Sequence, residues 1–79
     1  MTNIWLLLIT MQVKDTPTQT FKQEFVKSEY CVMRAKQYWH EYYKINYSPT
    51  TKLDILCINK KNPYEVINIK CTKEDICNV

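Results

Sequence analysis

Glycine is absent from this chain of 79 residues. Its absence excludes the glycine-rich loops that cradle phosphate groups in P-loop and dinucleotide-binding proteins. It also means that a turn requiring a positive φ must use Asn or Asp, which tolerate the left-handed region better than other residues. We predict one turn at residues 14–18, where Pro17 fixes its own φ and the Asp15 carboxylate can accept hydrogen bonds from local amides.

A long apolar run and a targeting signal are also lacking. The longest hydrophobic segment covers only residues 4–13, whereas a helix that crosses a bilayer needs about 20 apolar residues. No Lys or Arg precedes this segment, and no small-x-small cleavage site follows it, as a signal peptide would require. We therefore expect no membrane span and interpret the segment as a β-strand.

Charge of one sign is not concentrated anywhere. The net charge is +3, and the densest basic pair is Lys60-Lys61 in a predicted turn. Dedicated nucleic-acid modules usually carry a basic stripe, so this pattern indicates an ordinary solvated surface.

A hydrophobic content of 46% is typical of a globular protein. The length predicts a single domain, residues 1–79, whose small core needs help from disulfides, a metal or a partner chain.

The hydrophobic periodicity predicts an α+β fold with the element order ββαββ. The expected elements are a hairpin over 4–25, a helix over 28–46, strands over 52–59 and 64–71, and a tail over 72–79. Together they predict a two-layer sandwich, in which one amphipathic helix covers an antiparallel sheet of three to four strands.

The helix has the strongest pattern of these elements. Ser28 is expected to be its N-cap, and Glu29 lies in the first turn, where the helix dipole favours negative charge. The residues expected to face the sheet recur at helical spacing: Cys31, Val32, Ala35, Tyr38, Trp39 and Tyr42. In the tail, residues 72–75 are similar to a capping box, which predicts a short helical turn around Ile76 and Cys77.

The first and third strands carry apolar residues on both faces. One helix can cover only one face of the sheet, so a second apolar face is left over. Its expected members are Ile4, Leu6, Leu8, Leu56 and Ile58. Two outcomes are open at this point: the face is an exposed interaction surface, or the tail and loops cover it.

The four cysteines, Cys31, Cys57, Cys71 and Cys77, contain no CxxC pair. Structural zinc normally uses such closely spaced pairs, so we expect no metal site. A helix-to-sheet disulfide between Cys31 and Cys57 is predicted, because both residues lie on faces expected to meet. Cys71 and Cys77 can close a second, small loop. Four cysteines allow three connectivities, and free buried thiols are the alternative.

No catalytic constellation is present in the sequence. His40 is the single histidine, and it lies about 13 Å along the helix from Cys31, too far for a Cys-His dyad. Spacing leaves contact with Cys57, Cys71 or Cys77 open, but nothing in the sequence points to it. The acidic residues fall in unrelated segments. We therefore predict that the chain is not an enzyme and that it uses no cofactor.

Aromatic residues crowd the helix and its exit. The helix stripe has room for only some of them, so Tyr30, Tyr43 and Tyr47 are expected at its edge, beside Arg34. Tyr and Arg are enriched at protein interfaces, and these four residues are the predicted partner-binding site. The alternative is single-stranded nucleic-acid binding, in which aromatic rings stack on bases. The basic residues available for it are Arg34, Lys36, Lys44, Lys60 and Lys61. Oligomerisation also stays open.

The order of the predicted elements, together with several of the residues that they carry, forms a longer pattern. It comprises a short hydrophobic first strand, a hairpin ending at Phe21 to Phe25, a helix opening Ser28-Glu29-Tyr30-Cys31 and a later strand that carries Cys57. Over residues 4–60 this layout resembles small uncharacterised proteins of tailed phages. The resemblance implies a phage-encoded protein that inhibits a host protein or is a minor component of a viral assembly. It would then be located in the host cytoplasm or the virion.

Overall fold

A computed structural model describes residues 4–72, 74 and 76–78 of the chain. The fold is α+β: one helical layer packs on an open, antiparallel, five-stranded sheet. The strands are β1 (Trp5–Gln12), β2 (Gln19–Phe25), β3 (Lys52–Asn59), β4 (Val66–Cys71) and β5 (Cys77–Asn78). The helical layer consists of α1 (Ser28–Tyr38), a π-helical segment (Trp39–Tyr43) and α2 (Lys44–Asn46).

Strand β1 lies at the centre of the sheet, whose order is β2-β1-β3-β4-β5. It pairs with β2 from Trp5↔Phe25 to Met11↔Gln19, which confirms the predicted hairpin. On its other side it pairs with β3, the strand that follows the helix. The hairpin turn uses Asp15 at φ 63°, as a turn without glycine requires.

The helical layer covers one face of the sheet. The buried side chains at this contact are Leu7, Ile9, Ile55, Cys57 and Ile69 from the sheet and Cys31, Ala35 and Trp39 from the helix. Fully burying one large apolar side chain stabilises a fold by about 1.5–3 kcal/mol. The core of this small protein therefore lies between the two layers, and the predicted two-layer arrangement is present. The sheet has five strands instead of the predicted three to four, because the tail adds β5.

Both predicted cysteine pairs are disulfides. Cys31 of α1 is bonded to Cys57 of β3, with an S–S distance of 2.10 Å, and Cys71 is bonded to Cys77, at 2.08 Å. The first closes a loop with a sequence separation of 26, for which chain entropy predicts about 3.5 kcal/mol of stabilisation. The second separates its cysteines by 6 and should contribute about 2 kcal/mol. The larger crosslink joins the two layers.

The helix start differs from the prediction. Its N-cap is Lys27, in an extended conformation and without a side-chain cap hydrogen bond. Ser28 is the first helical residue, and its hydroxyl donates to the Glu29 carboxylate at 3.4 Å instead of accepting from a backbone amide. The first turn is closed by the Cys31 N–H, which donates to the Lys27 carbonyl at 3.2 Å.

The expected helix span, residues 28–46, contains a π-helical turn that the periodicity did not predict. The Lys44 N–H donates to the carbonyl of Trp39, five residues earlier. In an uninterrupted α-helix, a step of about 100° per residue would place Tyr42 near the centre of the buried stripe and Tyr43 at its edge. The wider turn reverses them: Tyr42 is 53% exposed, and Tyr43 is partly buried against the core. The predicted core position of Tyr42 is therefore wrong.

The C-terminal part of the chain forms an edge hairpin. Strand β4 begins at Val66, two residues later than predicted, because Glu65 still belongs to the turn: its carbonyl accepts from Asn59 N–H at 3.0 Å. In place of the expected helical turn, β5 pairs with β4. Thr72 N–H donates to the Ile76 carbonyl at 2.9 Å, which closes this hairpin. Lys73 and Asp75, part of the expected capping box, lie outside the described residues.

Candidate functional site

The sheet face opposite the helix carries a group of large apolar side chains. We call it the open face and define it by Leu6, Leu8, Leu56, Ile58 and Val66. Cross-strand register makes these residues neighbours: the pairs are Leu6↔Ile58, Leu8↔Leu56 and Ile58↔Val66. Four are partly buried, and Val66 is 45% exposed. Within the described part of the chain, neither a helix nor a strand covers this face.

Polar side chains border the open face. On the β2 side, Lys22 lies opposite Leu8 and Glu24 lies opposite Leu6. The Glu24 carboxylate accepts from the Lys60 ammonium, so this edge carries an ion pair whose side chains are about half exposed. On the β4 side, Asn68 lies opposite Leu56. An apolar centre within a polar rim is the usual composition of a protein interface.

Two of the predicted partner-binding residues lie together on α1. Tyr30 and Arg34 line one shallow depression beside Phe25. The Arg34 guanidinium lies 5.5 Å from the centre of the Tyr38 ring and donates to the Gln37 side chain at 2.7 Å. The ammonium group of Lys27 lies 5.8 Å from the centre of the Tyr30 ring. Both predicted residues are thus ordered by neighbours on the helix layer.

The other two predicted residues lie elsewhere. Tyr47 packs edge-to-face on Trp39, with ring centres 5.4 Å apart, and lines a depression over β3 and β4. Tyr43 packs against the core and lines a different groove near the start of β2. The structure therefore joins Tyr30 with Arg34, but it does not unite all four residues in one surface.

The groove beside Tyr43 has a cavity volume of about 540 Å³. We call it the aromatic groove and define it by Phe21, Tyr38, Tyr42, Tyr43 and Glu41. Tyr38 is held by its hydroxyl, which donates to the Gln23 side chain at 2.8 Å. Burial raises the pKa of the Tyr43 phenol above its ordinary value, and the nearby Tyr42 and Tyr38 act in the same direction. Tyr43 is therefore neutral at physiological pH.

Comparison with protein-family models, curated proteins and solved structures yields no match for this chain.

All four cysteines are disulfide-bonded, so none offers a thiol for nucleophilic attack or metal binding. Among the described residues, no group of three His, Cys, Asp or Glu side chains is placed to hold a metal ion. None of the described helices is long and apolar enough to cross a membrane.

Sequence reasoning found part of these surfaces. It identified Leu6, Leu8, Leu56 and Ile58 from the second apolar parity of their strands. It also included Ile4, which is partly buried and precedes the first residue of β1. It missed the aromatic groove, because Tyr38 and Tyr42 were both assigned to the core and the π-helical turn leaves no local sequence signal. Two adjacent tyrosines, Tyr42 and Tyr43, were the one available hint, since a helix cannot bury both on the same stripe.

Proposed function

We propose that this chain is a small protein-binding domain whose partner docks on the open face. The observation that supports the proposal is the apolar cluster of three adjacent strands, which no helix or strand of the described residues covers. Monomeric proteins rarely expose contiguous apolar surfaces of this kind unless something binds there. The helix layer on the opposite face already gives the domain its core, so the open face is available for binding.

The form of the open face fits a protein partner better than other ligands. Its residues belong to a sheet held in register on both sides of β1, so a partner meets a preformed surface and little ordering is lost on binding. A standard interface buries about 800 Å² on each partner, with apolar residues at its centre. Leu8 and Leu56 would supply that centre, and Lys22 and Glu24 the rim.

A finer form of the proposal concerns the biological role. Inhibition of a host protein, or a minor place in a viral assembly, rests on the phage-like layout of residues 4–60. Either role requires stable binding of another protein, as the open face would provide. Tyr30 and Arg34 remain a second proposed contact, on the helix layer.

Single-stranded nucleic-acid binding is the less supported function. The basic residues that it needs are divided between the helix and the β3–β4 turn. Lys60 is paired with Glu24, and Arg34 is stacked on Tyr38. Titration of a labelled oligonucleotide at low and physiological salt tests this alternative. Affinity that falls steeply with salt would support it, through counterion release.

Affinity capture with matched variants tests the protein-binding proposal. Leu56→Glu places a charge at the centre of the open face, and Ile45→Glu places the same charge on an exposed helix position away from Tyr30 and Arg34, where Ile45 is 77% exposed. Proteins captured by the wild type should be lost with Leu56→Glu and retained with Ile45→Glu. Thermal melts establish that both variants are folded.

Two outcomes would contradict the open face as the docking surface. One is full retention of the captured proteins by folded Leu56→Glu. The other is loss with Arg34→Ala alone, which would move the interface to the helix layer. A hot-spot residue costs about 2 kcal/mol or more of binding free energy on truncation, so affinity measurements on these variants can show which of the two surfaces binds the partner.

A further inference from the structure

The aromatic groove is built from two ring pairs that belong to different elements. Phe21 of β2 and Tyr38 of α1 meet with ring centres 5.2 Å apart and an interplanar angle of 74°. Tyr42 and Tyr43 of the π-helical segment meet at 5.0 Å and 85°. Both pairs are edge-to-face, so the rings of each pair point their faces in nearly perpendicular directions. The groove is therefore lined by aromatic rings in several orientations.

The π-helical turn is what places two consecutive tyrosines beside this groove. An α-helical turn would direct Tyr42 toward the sheet, whereas the wider turn leaves it 53% exposed and brings Tyr43 to the core edge. Turns of this type occur mostly as single insertions in α-helices and are frequent at functional sites. Here the consequence is a groove wall made of two rings.

The electrostatics of the groove favour a cation. Aromatic ring faces carry a negative quadrupole and attract cations positioned within about 6 Å of the ring centre. Glu41 is the only charged side chain among the residues that line the groove, and the others are neutral: Met11, Gln19, Thr20, Phe21, Tyr38, Tyr42 and Tyr43. The lining thus combines the rings of Phe21, Tyr42 and Tyr43, apolar surface and one exposed carboxylate. The Tyr38 ring is already stacked by the Arg34 guanidinium, and Glu41 also accepts from the Gln37 amide at 3.3 Å.

We propose that the aromatic groove binds a small organic cation that carries an alkylated ammonium group. Such a group presents alkyl carbons to the rings and a diffuse positive charge to the ring faces and to Glu41. An unmodified ammonium is strongly hydrated and has no alkyl groups around its charge, whereas the rings and apolar surface of the groove offer contacts that alkyl groups can fill. The volume of about 540 Å³ lies within the usual range for small-ligand sites, about 300–1,000 Å³.

This proposal is independent of the function proposed for the open face. The groove is lined by Phe21 and Met11, which share the helix side of the sheet with the buried Ile9. The open face lies on the opposite side of the same strands. A ligand in the groove and a protein on the open face would therefore not compete for the same residues.

Titration with choline and its neutral carbon isostere, 3,3-dimethyl-1-butanol, tests the proposal. The two probes have the same shape and differ in charge. Aromatic proton shifts of the intact, disulfide-bonded protein, followed by NMR, report binding. Choline should bind at least about fivefold more tightly than the isostere, as expected for a cation held by several ring faces.

Variants locate the site and separate binding from folding. Tyr42→Ala should weaken choline binding at least about threefold while leaving the melting temperature nearly unchanged, because Tyr42 is largely exposed. Glu41→Gln keeps the side-chain shape and should reduce the preference for choline over the isostere. Tyr64→Ala is the matched control, since Tyr64 is 97% exposed and does not line the groove. The affinity of this variant for choline should equal that of the wild type.

Three results would overturn the proposal. Equal affinity for choline and the isostere would show that the groove binds through apolar contacts and does not recognise the positive charge. Unchanged choline affinity in folded Tyr42→Ala would place any binding elsewhere. Tighter binding of a trimethyllysine peptide than of choline would assign the groove to a protein side chain instead of a small molecule.

Discussion

The two faces of the sheet are made by the same strands and differ in nearly everything else. On the helix face, Ile55 is 2% exposed and Cys57 is crosslinked to α1. On the open face, Leu56, between them in sequence, is partly exposed and has no covering layer among the described residues. Neighbouring residues of similar hydrophobicity thus have different roles, because strand side chains alternate between faces.

This difference separates stability from binding. The free energy of folding is concentrated on the helix face, where the disulfide and the indole ring of Trp39 hold the layers together. The open face contributes less to folding, since its side chains keep part of their surface in water. Substitutions on the two faces should therefore have effects of different size on the free energy of unfolding.

The largest expected effect is that of Trp39→Ala. Trp39 is 1% exposed, and its indole N–H donates to the Thr72 carbonyl at 3.0 Å, which ties the helix to the end of β4. Removing a buried tryptophan costs about 3–5 kcal/mol, so the variant should be largely unfolded or strongly destabilised in urea melts. Tyr64→Ala is the exposed aromatic control. A loss below about 1.5 kcal/mol for Trp39→Ala would contradict the placement of the core.

The second-largest effect on the free energy of unfolding is expected from removing a disulfide, and its size should differ between the two disulfides. Replacing Cys31 and Cys57 by alanine should lower the free energy of unfolding by about 3.5 kcal/mol, and replacing Cys71 and Cys77 by about 2 kcal/mol, because the first pair closes the longer loop. Chemical denaturation of the two double variants measures both values. If the edge pair proved the more important, the stability would not be concentrated between the layers.

Adjacent residues of β3 provide a sharper test of the two faces. Ile55→Ala on the helix face should cost about 2–5 kcal/mol, as other buried isoleucines do. Leu56→Ala on the open face should cost about 1 kcal/mol or less, because solvent already reaches this side chain and no closed cavity forms. Equal losses in urea melts would indicate that something covers the open face.

The smallest expected effect is a pH dependence at Tyr43. Burial raises the pKa of this phenol above its ordinary value of 10.0, so the folded state favours the protonated form. Its contribution to stability is fully present below about pH 10 and is lost as the pH rises through the raised pKa. Tyr43→Phe should therefore reduce the loss of unfolding free energy between pH 9 and pH 11. A parallel pH profile for variant and wild type would exclude this contribution.

Several features could be predicted because one local pattern determines each of them. Apolar residues on both parities of residues 4–8 predicted two apolar faces for the first strand, and β1 contributes Leu7 to the helix face and Leu6 and Leu8 to the open face. The i, i+4 spacing of Cys31 and Ala35 identified the buried helix stripe, and the apolar parity of β3 identified Cys57 as its partner. In each case periodicity alone assigns the residue to a face.

Other features depend on which of two competing local structures packs better on the sheet, and hydrophobic periodicity does not describe such packing. In the π-helical turn at residues 39–43, the Lys44 N–H donates to the carbonyl five residues earlier, whereas in an α-helical turn it would donate to the carbonyl four residues earlier. Packing on the sheet decides between the two turns. Strand β5 has two residues, too few for a strand pattern, and it depends on the Cys71↔Cys77 pairing. The aromatic groove could not be predicted, because it exists only where the π-helical segment and the start of β2 meet.

The pairing of β1 with β3 has a consequence for the order of folding events. This pairing, at the centre of the sheet, joins residues that are far apart in the chain, such as Trp5 and Asn59. Contacts between such distant residues form slowly, because the intervening chain must first be closed into a loop. The β1–β2 hairpin is local and can form early. Docking of β3 onto it is therefore expected to limit the folding rate, and a crosslink between Cys31 and Cys57 shortens the free chain that must close.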